Sequence, residues 1–202
     1  MARDTQPNWT DDETKPTPLE KLFQRAWRYR IFWVLALIVA ILDQFTKTWV
    51  TLTLPLGSYH PPHRIDVLEG FFHIVHVSNT GAAWGILQGW SFFLALFSLL
   101  CLVLIYIFRG ALHLSRTPCQ WAFGLLVGGV IGNLVDRILR GHVIDFLDFH
   151  LGSYAWPAFN IADAGIFCGV GIYLYYSFFL EQRYPPHNSP RRKKTEENSL
   201  NP

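Results

Sequence analysis

The chain has 202 residues, 50% of them hydrophobic and only 16% charged, with 16 Phe and 8 Trp. A net charge of +2, with no basic stripe interleaved with aromatics, excludes a nucleic-acid binder. The charges gather near the two ends and in the loops between long apolar stretches, which excludes an ordinary soluble domain and points to a membrane protein.

Residues 1–24 are expected to form a disordered cytoplasmic tail, because the first 20 are polar, with three prolines and the mixed charge run Asp11–Lys15. Lys21, Arg25, Arg28 and Arg30 lead into Ile31–Val50, which is nearly all apolar. At about 1.5 Å per residue these twenty residues cover the roughly 30 Å of hydrocarbon in a bilayer. A cleavable signal peptide has a shorter apolar core and a small-residue site after it. Trp49-Val-Thr-Leu-Thr-Leu offers no such site, so this helix is expected to stay. In the long loop over 51–89, Gly70-Phe-Phe-His-Ile-Val-His-Val77 is aromatic and β-branched and predicts a strand. Thr80–Leu87 is expected to turn at Gly81 and continue as a short amphipathic helix, so this loop forms a small β-rich platform. Further spans are expected at about 90–108, 121–139 and 161–180, followed by a basic cytoplasmic tail over 183–202. The expected fold is therefore an all-α membrane protein of four transmembrane helices over 25–182, with the β-rich platform at its outer face.

The third span carries Gly124, Gly128 and Gly132 at spacing four. They read either as a groove for close packing of another helix or as chance in a Gly-rich span. Lys and Arg flank both ends of the chain, and Arg109 and Arg116 lie between spans two and three. The other two loops hold only Arg64 between them, so both termini are expected in the cytoplasm.

With that topology the polar intrusions meet at one depth. Asp43 and Lys47, one helical turn apart, read as an intrahelical ion pair. Asn133, Asp136 and Arg137 fall in the outer turns of span three, with Asp136 and Arg137 expected to form a charge network tying helices together. Asn160 reads as the N-cap of span four. Asp145 and Asp163 lie where the apolar pattern meets a loop. Such carboxylates are costly unless paired or solvated, so they mark a candidate site, and a close pair tends to share a proton. A solvated-loop reading of Asp145 stands beside this one, and Asp148 reads as a loop residue. Cys101, Cys119 and Cys168 lack metal-ligand spacing and CxxC, and are expected to be packing residues. The eight histidines show no HExxH, and no GxSxG or SxxK is present, so neither metal nor serine chemistry is indicated and no cofactor is expected. A proton-coupled transporter would use the same carboxylates as a relay, although the polar residues crowd one leaflet. A membrane scaffold would leave Asp145 and Asp163 unexplained.

Five motifs occur in order: Asp43-Gln-Phe-Thr-Lys47, Asn79-Thr-Gly-Ala-Ala83, Gly129-Val-Ile-Gly-Asn133-Leu-Val-Asp136-Arg137, Gly141-His-Val-Ile-Asp145-Phe146 and Pro157-Ala-Phe-Asn160-Ile-Ala-Asp163. Over roughly residues 30–180 the chain resembles the lipoprotein signal peptidases, the bacterial signal peptidase II family. The resemblance implies a four-span aspartic peptidase of the bacterial inner membrane, with its site at the periplasmic side. It would remove signal peptides just before the diacylglyceryl-modified cysteine of prolipoproteins. It implies Asp145 and Asp163 as the catalytic pair. Asn133, Arg137 and Asn160 would line and order the site, and Asn79 and Gly81 would lie in the outward platform. Asp43, Lys47 and Asp136 are expected to be structural. The expected partners are diacylglyceryl-prolipoprotein substrates and membrane lipids, with no nucleic acid, and the chain is expected to act as a monomer. Trp84 stands where the family usually has Phe, and Ala164 where Ser is common, so altered substrate contacts with intact chemistry are expected.

Overall fold

The computed structural model describes residues 17–180, so the expected tails over 1–16 and 181–202 lie outside the described residues. The part of the N-terminal tail that is described is not disordered, since Pro18–Arg28 forms helix α1. Its start is closed locally. Glu20 N donates to Thr17 Oγ1 at 3.2 Å and Thr17 N to Glu20 Oε2 at 2.7 Å, a reciprocal cap. Pro18 falls in the first turn, where its missing N–H removes no helical hydrogen bond.

Helix α2 (Arg30–Thr53) buries Phe32, Ala36, Val39, Asp43, Lys47 and Val50, a spacing of three and four that defines one face. Strands β1 (Ile65–Leu68) and β2 (Phe72–Asn79) follow, and β2 realises the strand expected over 70–77. Next come helices α3 (Ser91–Ile107) and α4 (Thr117–Arg140). Strands β3 (Val143–Leu151) and β4 (Tyr154–Phe159) precede α5 (Ile161–Tyr175), which a π-helical turn extends to Leu180. Arg30–Thr53, Thr117–Arg140 and Ile161–Phe179 are long and apolar enough to cross a membrane, and α3 is a shorter apolar helix of 17 residues. Large apolar side chains such as Trp33, Leu37, Phe92, Phe97 and Leu100 point outward from these helices, as in a helical protein whose solvent is lipid.

The glycines of α4 set the helix packing. A Cβ at Gly124 would lie 3.0 Å from Phe32 O, one at Gly128 2.6 Å from Ala36 O, and one at Gly132 2.5 Å from Asp43 Oδ2. The stripe is therefore a groove filled by α2, and the two helices run parallel. Gly129 faces α5 instead, where a Cβ would lie 2.2 Å from Ala162 O; at the other end of this contact a Cβ at Gly169 would lie 2.5 Å from Ala122 O. Helices α4 and α5 are thus antiparallel, with backbones in near contact.

The four strands form one antiparallel sheet in the order β1-β2-β3-β4. The loop expected between spans three and four is in fact the β3–β4 hairpin, turned at Gly152 with φ 64°. Asp148 is consequently no loop residue: it lies in β3, 2% exposed, with His150 Nε2 at 2.9 Å from its carboxylate. Residues 80–87 do not form the expected amphipathic helix. They make only a 3-10 turn over Ala83–Gly85, because Trp84, Gly85 and Leu87 take positive φ of 57°, 70° and 60°. The loop closes on Gly81, where a Cβ would lie 2.5 Å from Ile86 O.

Candidate active site

The site forms where the sheet meets one end of the helix bundle. Helix α4 stops at Gly141, whose φ of 75° is the left-handed conformation that ends a helix without a Cβ penalty. The chain turns there into β3, and β3 pairs with β2 in the register Val77↔Asp145 and Asn79↔Val143. That register places Asn79 beside Asp145, and Asn79 Nδ2 donates to Asp145 Oδ2 at 2.9 Å.

On the other side, Asn160 is the N-cap of α5, as expected. Its Oδ1 accepts from Asp163 N at 2.9 Å, while Asp163 Oδ2 accepts from Asn160 N at 3.3 Å, completing a capping box. The same Asn160 presents Nδ2 to Asp145 Oδ1 at 2.7 Å. One fully buried amide thus bonds both the strand carboxylate and the helix carrying the second carboxylate. From α4, Asn133 Nδ2 donates to Asp163 Oδ1 at 2.8 Å. Asn133 Oδ1 in turn accepts from Lys47 Nζ at 2.9 Å and Asn160 Nδ2 at 3.3 Å.

Asp145 is 3% exposed. Burial, helped by the charge of Asp163 nearby, pushes its carboxyl from the usual range up to about 7, against the opposing donors Asn79 and Asn160. Its acidity thus sits where proton transfer in either direction is easy near neutral pH. Both carboxyl groups also feel the charge of Arg137. The Nη2 of Arg137 donates to Gly81 O at 3.0 Å, and Gly81 N donates to Asn79 Oδ1 at 2.9 Å. Gly81, Asn79 and Arg137 therefore brace the loop over the carboxyl pair. Arg137 Nε is buried without a hydrogen-bond partner among the described residues. Trp84, 65% exposed, meets Trp156 edge-on at 6.0 Å on the outer side of that loop.

Asp43, Lys47 and Asp136 form a second, fully buried group, joined to the site by the bond from Lys47 to Asn133. Lys47 Nζ lies 2.8 Å from Asp43 Oδ2 and 2.9 Å from Asp136 Oδ2. The expected charge network tying helices together is made through Asp136, which Lys47 joins to α2, but Arg137 is not among its ion-pair partners. Asp136 pairs with Arg140, one turn along, because neighbouring residues diverge by about 100° around a helix and those four apart share a face. Gln44, absent from the sequence-based candidates, bonds Asp136 Oδ1 and Gly132 O, both at 3.1 Å. The i, i+4 spacing of Asp136 and Arg140 was the available signal for Arg140, whereas Gln44 carries none beyond its place beside Asp43. Asp43 Oδ1 also accepts from Ala162 N at 2.9 Å, so the group supports the first turn of α5. Of the cysteines, Cys119 is fully buried, whereas Cys101 is half-buried and Cys168 exposed on the outer face of α5, so only the first is a core packing residue. None of the three forms a disulfide with another described residue.

The chain is similar to several known proteins. The family model described as Signal peptidase (SPase) II matches residues 35–179. The lipoprotein signal peptidase of Oleidesulfovibrio alaskensis is 42% identical over 146 residues, covering 70% of this chain and 90% of that protein. That of Nostoc punctiforme is 43% identical over 152 residues, covering 74% and 90%. A solved bacterial membrane enzyme, determined by the in meso method at 2.3 Å resolution, superposes with a TM-score of 0.66 at 31% identity, over 77% of this chain and 92% of that one. With a family model spanning most of its length and relatives above 40% identity, the chain belongs to the signal peptidase II family of aspartic peptidases.

Proposed function

We propose that this enzyme removes the signal peptide from diacylglyceryl-modified prolipoproteins, cleaving before the lipid-modified cysteine, with Asp145 and Asp163 as the catalytic pair. The observation that carries the proposal is the double engagement of Asn160, which bonds Asp145 while capping the helix that bears Asp163. The two carboxyls share one proton. One takes a proton from a water as it attacks the scissile carbonyl, while the other gives its proton to the carbonyl oxygen; the first then passes the gained proton to the leaving amine as the second recovers one from the diol hydroxyl. The pair titrates as a unit, so the roles belong to the dyad. Arg137 Nε supplies a donor for a substrate carbonyl, and Asn79, Gly81 and Asn133 keep the pair in place.

The chain crosses the bacterial inner membrane four times as a monomer, with both termini cytoplasmic and the sheet periplasmic. The bias of Lys and Arg towards the chain ends supports this orientation. Helices α2 and α4 run parallel, so the segment between them has to return across the bilayer, and α3 is the apolar helix it contains. Its 17 residues span about 25 Å, with Trp90 and Tyr106 at its ends. A proton-conducting transporter needs polar groups at both depths, whereas the buried charges occupy one end of this bundle.

The test is turnover of a diacylglyceryl-modified prolipoprotein by purified protein in detergent. Asp145→Asn and Asp163→Asn should each abolish cleavage, and the double variant should be about as inactive as either single. Near-normal turnover by a well-folded Asp163→Asn enzyme overturns the assignment.

A further inference from the structure

Helix α1 lies before the segment matched by the family model, and nothing in the proposed reaction uses it. Leu19, Leu22, Phe23 and Trp27 are spaced three and four apart and form one face, with exposures of 76%, 64%, 67% and 61%. Phe23 stacks on Trp27 at 6.4 Å between ring centroids. Glu20, Lys21, Gln24 and Arg28 occupy the opposite face and are also exposed. The helix is thus two-faced and self-capped, and both faces are open.

A single residue, Tyr29, separates α1 from α2. The 24 residues of α2 extend about 36 Å, more than the roughly 30 Å of hydrocarbon. Helix α1 therefore starts at the level of the lipid head groups. Standing along the bilayer normal, it would hold four large apolar side chains in water; lying down, it immerses them while its basic face meets the head groups. Arg30 is placed for this, its guanidinium 5.2 Å from the centroid of the Trp27 ring and bonded to Trp27 O at 3.2 Å. Lys21, Arg28 and Arg30 against the single Glu20 complement an anionic surface.

We propose that α1 is an in-plane amphipathic helix that binds the anionic phospholipid surface of the bilayer α2 enters. This rests on α2 crossing the bilayer and is independent of the chemistry at Asp145 and Asp163. The test places a photoreactive benzoyl-phenylalanine at one α1 position at a time in the full-length protein, reconstituted in phosphatidylcholine vesicles with or without phosphatidylglycerol. Labels at 22 and 23 should give lipid adducts several-fold more often than labels at 21 and 24. Phosphatidylglycerol should raise the yield at 22 and 23, and Lys21→Gln with Arg28→Gln should remove that rise. Prolipoprotein turnover in each variant reports an intact fold. Equal lipid yields from both faces, or adducts to a second copy of the chain in place of lipid, overturn the in-plane helix. A yield indifferent to phosphatidylglycerol overturns its anionic partner.

Discussion

Gly129→Ala tests how tightly the site depends on the approach of α4 to α5. The new methyl would lie 2.2 Å from Ala162 O and 2.8 Å from Ile166 Cγ1. Ordinary contacts begin near 3.4 Å, and the nearest obstacle is backbone, so α5 has to move away by about 1 Å. Ala162 precedes Asp163, which is tied to α4 by the 2.8 Å bond from Asn133 Nδ2. A shift of that size stretches the bond to about 3.8 Å, beyond hydrogen-bond range. Misplacing a catalytic group by about 1 Å costs on the order of 100-fold in rate, or roughly 3 kcal/mol of transition-state stabilisation. We expect kcat/KM on a diacylglyceryl-modified prolipoprotein to fall by that factor. Gly171→Ala, on α5 itself but with nothing within 4 Å of its new methyl, should stay within about twofold. Wild-type turnover by Gly129→Ala, at an unchanged melting temperature, would refute the reasoning.

Three further outcomes follow from the structure. A carboxyl held up to about 7, as Asp145 is, keeps a proton that the unfolded chain loses near pH 4, so between these values stability falls as pH rises, by on the order of 4 kcal/mol. Melting temperatures should therefore drop from pH 5 to pH 7 more steeply in the wild type than in Asp145→Asn, and parallel curves would exclude the raised carboxyl. Lys47→Met removes the cation between the fully buried Asp43 and Asp136, leaving Asp136 only its pair with Arg140, and should destabilise the protein by about 3–5 kcal/mol; an unchanged thermal melt contradicts the structural role. Turnover should survive strong chelators and replacement of Cys101, Cys119 and Cys168, whereas loss restored by a divalent ion would indicate a metallopeptidase.

The helical part of this fold was legible because its signals are local. Asn160 three residues before Asp163 and ahead of an apolar run is a capping pattern, whereas the glycines at 124, 128 and 132 offered a groove or chance until their contacts with α2 decided for the groove. The β3–β4 hairpin was not legible. Strand β3 buries Val143, Ile144, Asp145 and Phe146 in succession, so it lacks the alternation that identifies a half-exposed strand, and its buried carboxylates read as loop residues. Strand β4 contains Pro157, tolerated because β4 is the edge of the sheet. Helix α1 was hidden by the prolines around it, although its apolar residues keep helical spacing. The pairing of Asp145 with Asn79 depends on strand register across 66 residues, which no local pattern encodes.

The bond from Ala162 N to Asp43 Oδ1 joins residues 119 positions apart, linking the first bundle helix to the last. A ribosome delivers Asp43, Lys47, Asn133 and Asp145 into the membrane before Asp163 exists there. Until α5 docks between its partners, Asp145 lacks the amide of Asn160 and Lys47 has only part of its cage. With Asp163 as one of the proposed catalytic pair, the growing chain therefore carries only half of the proposed site until α5 is in place.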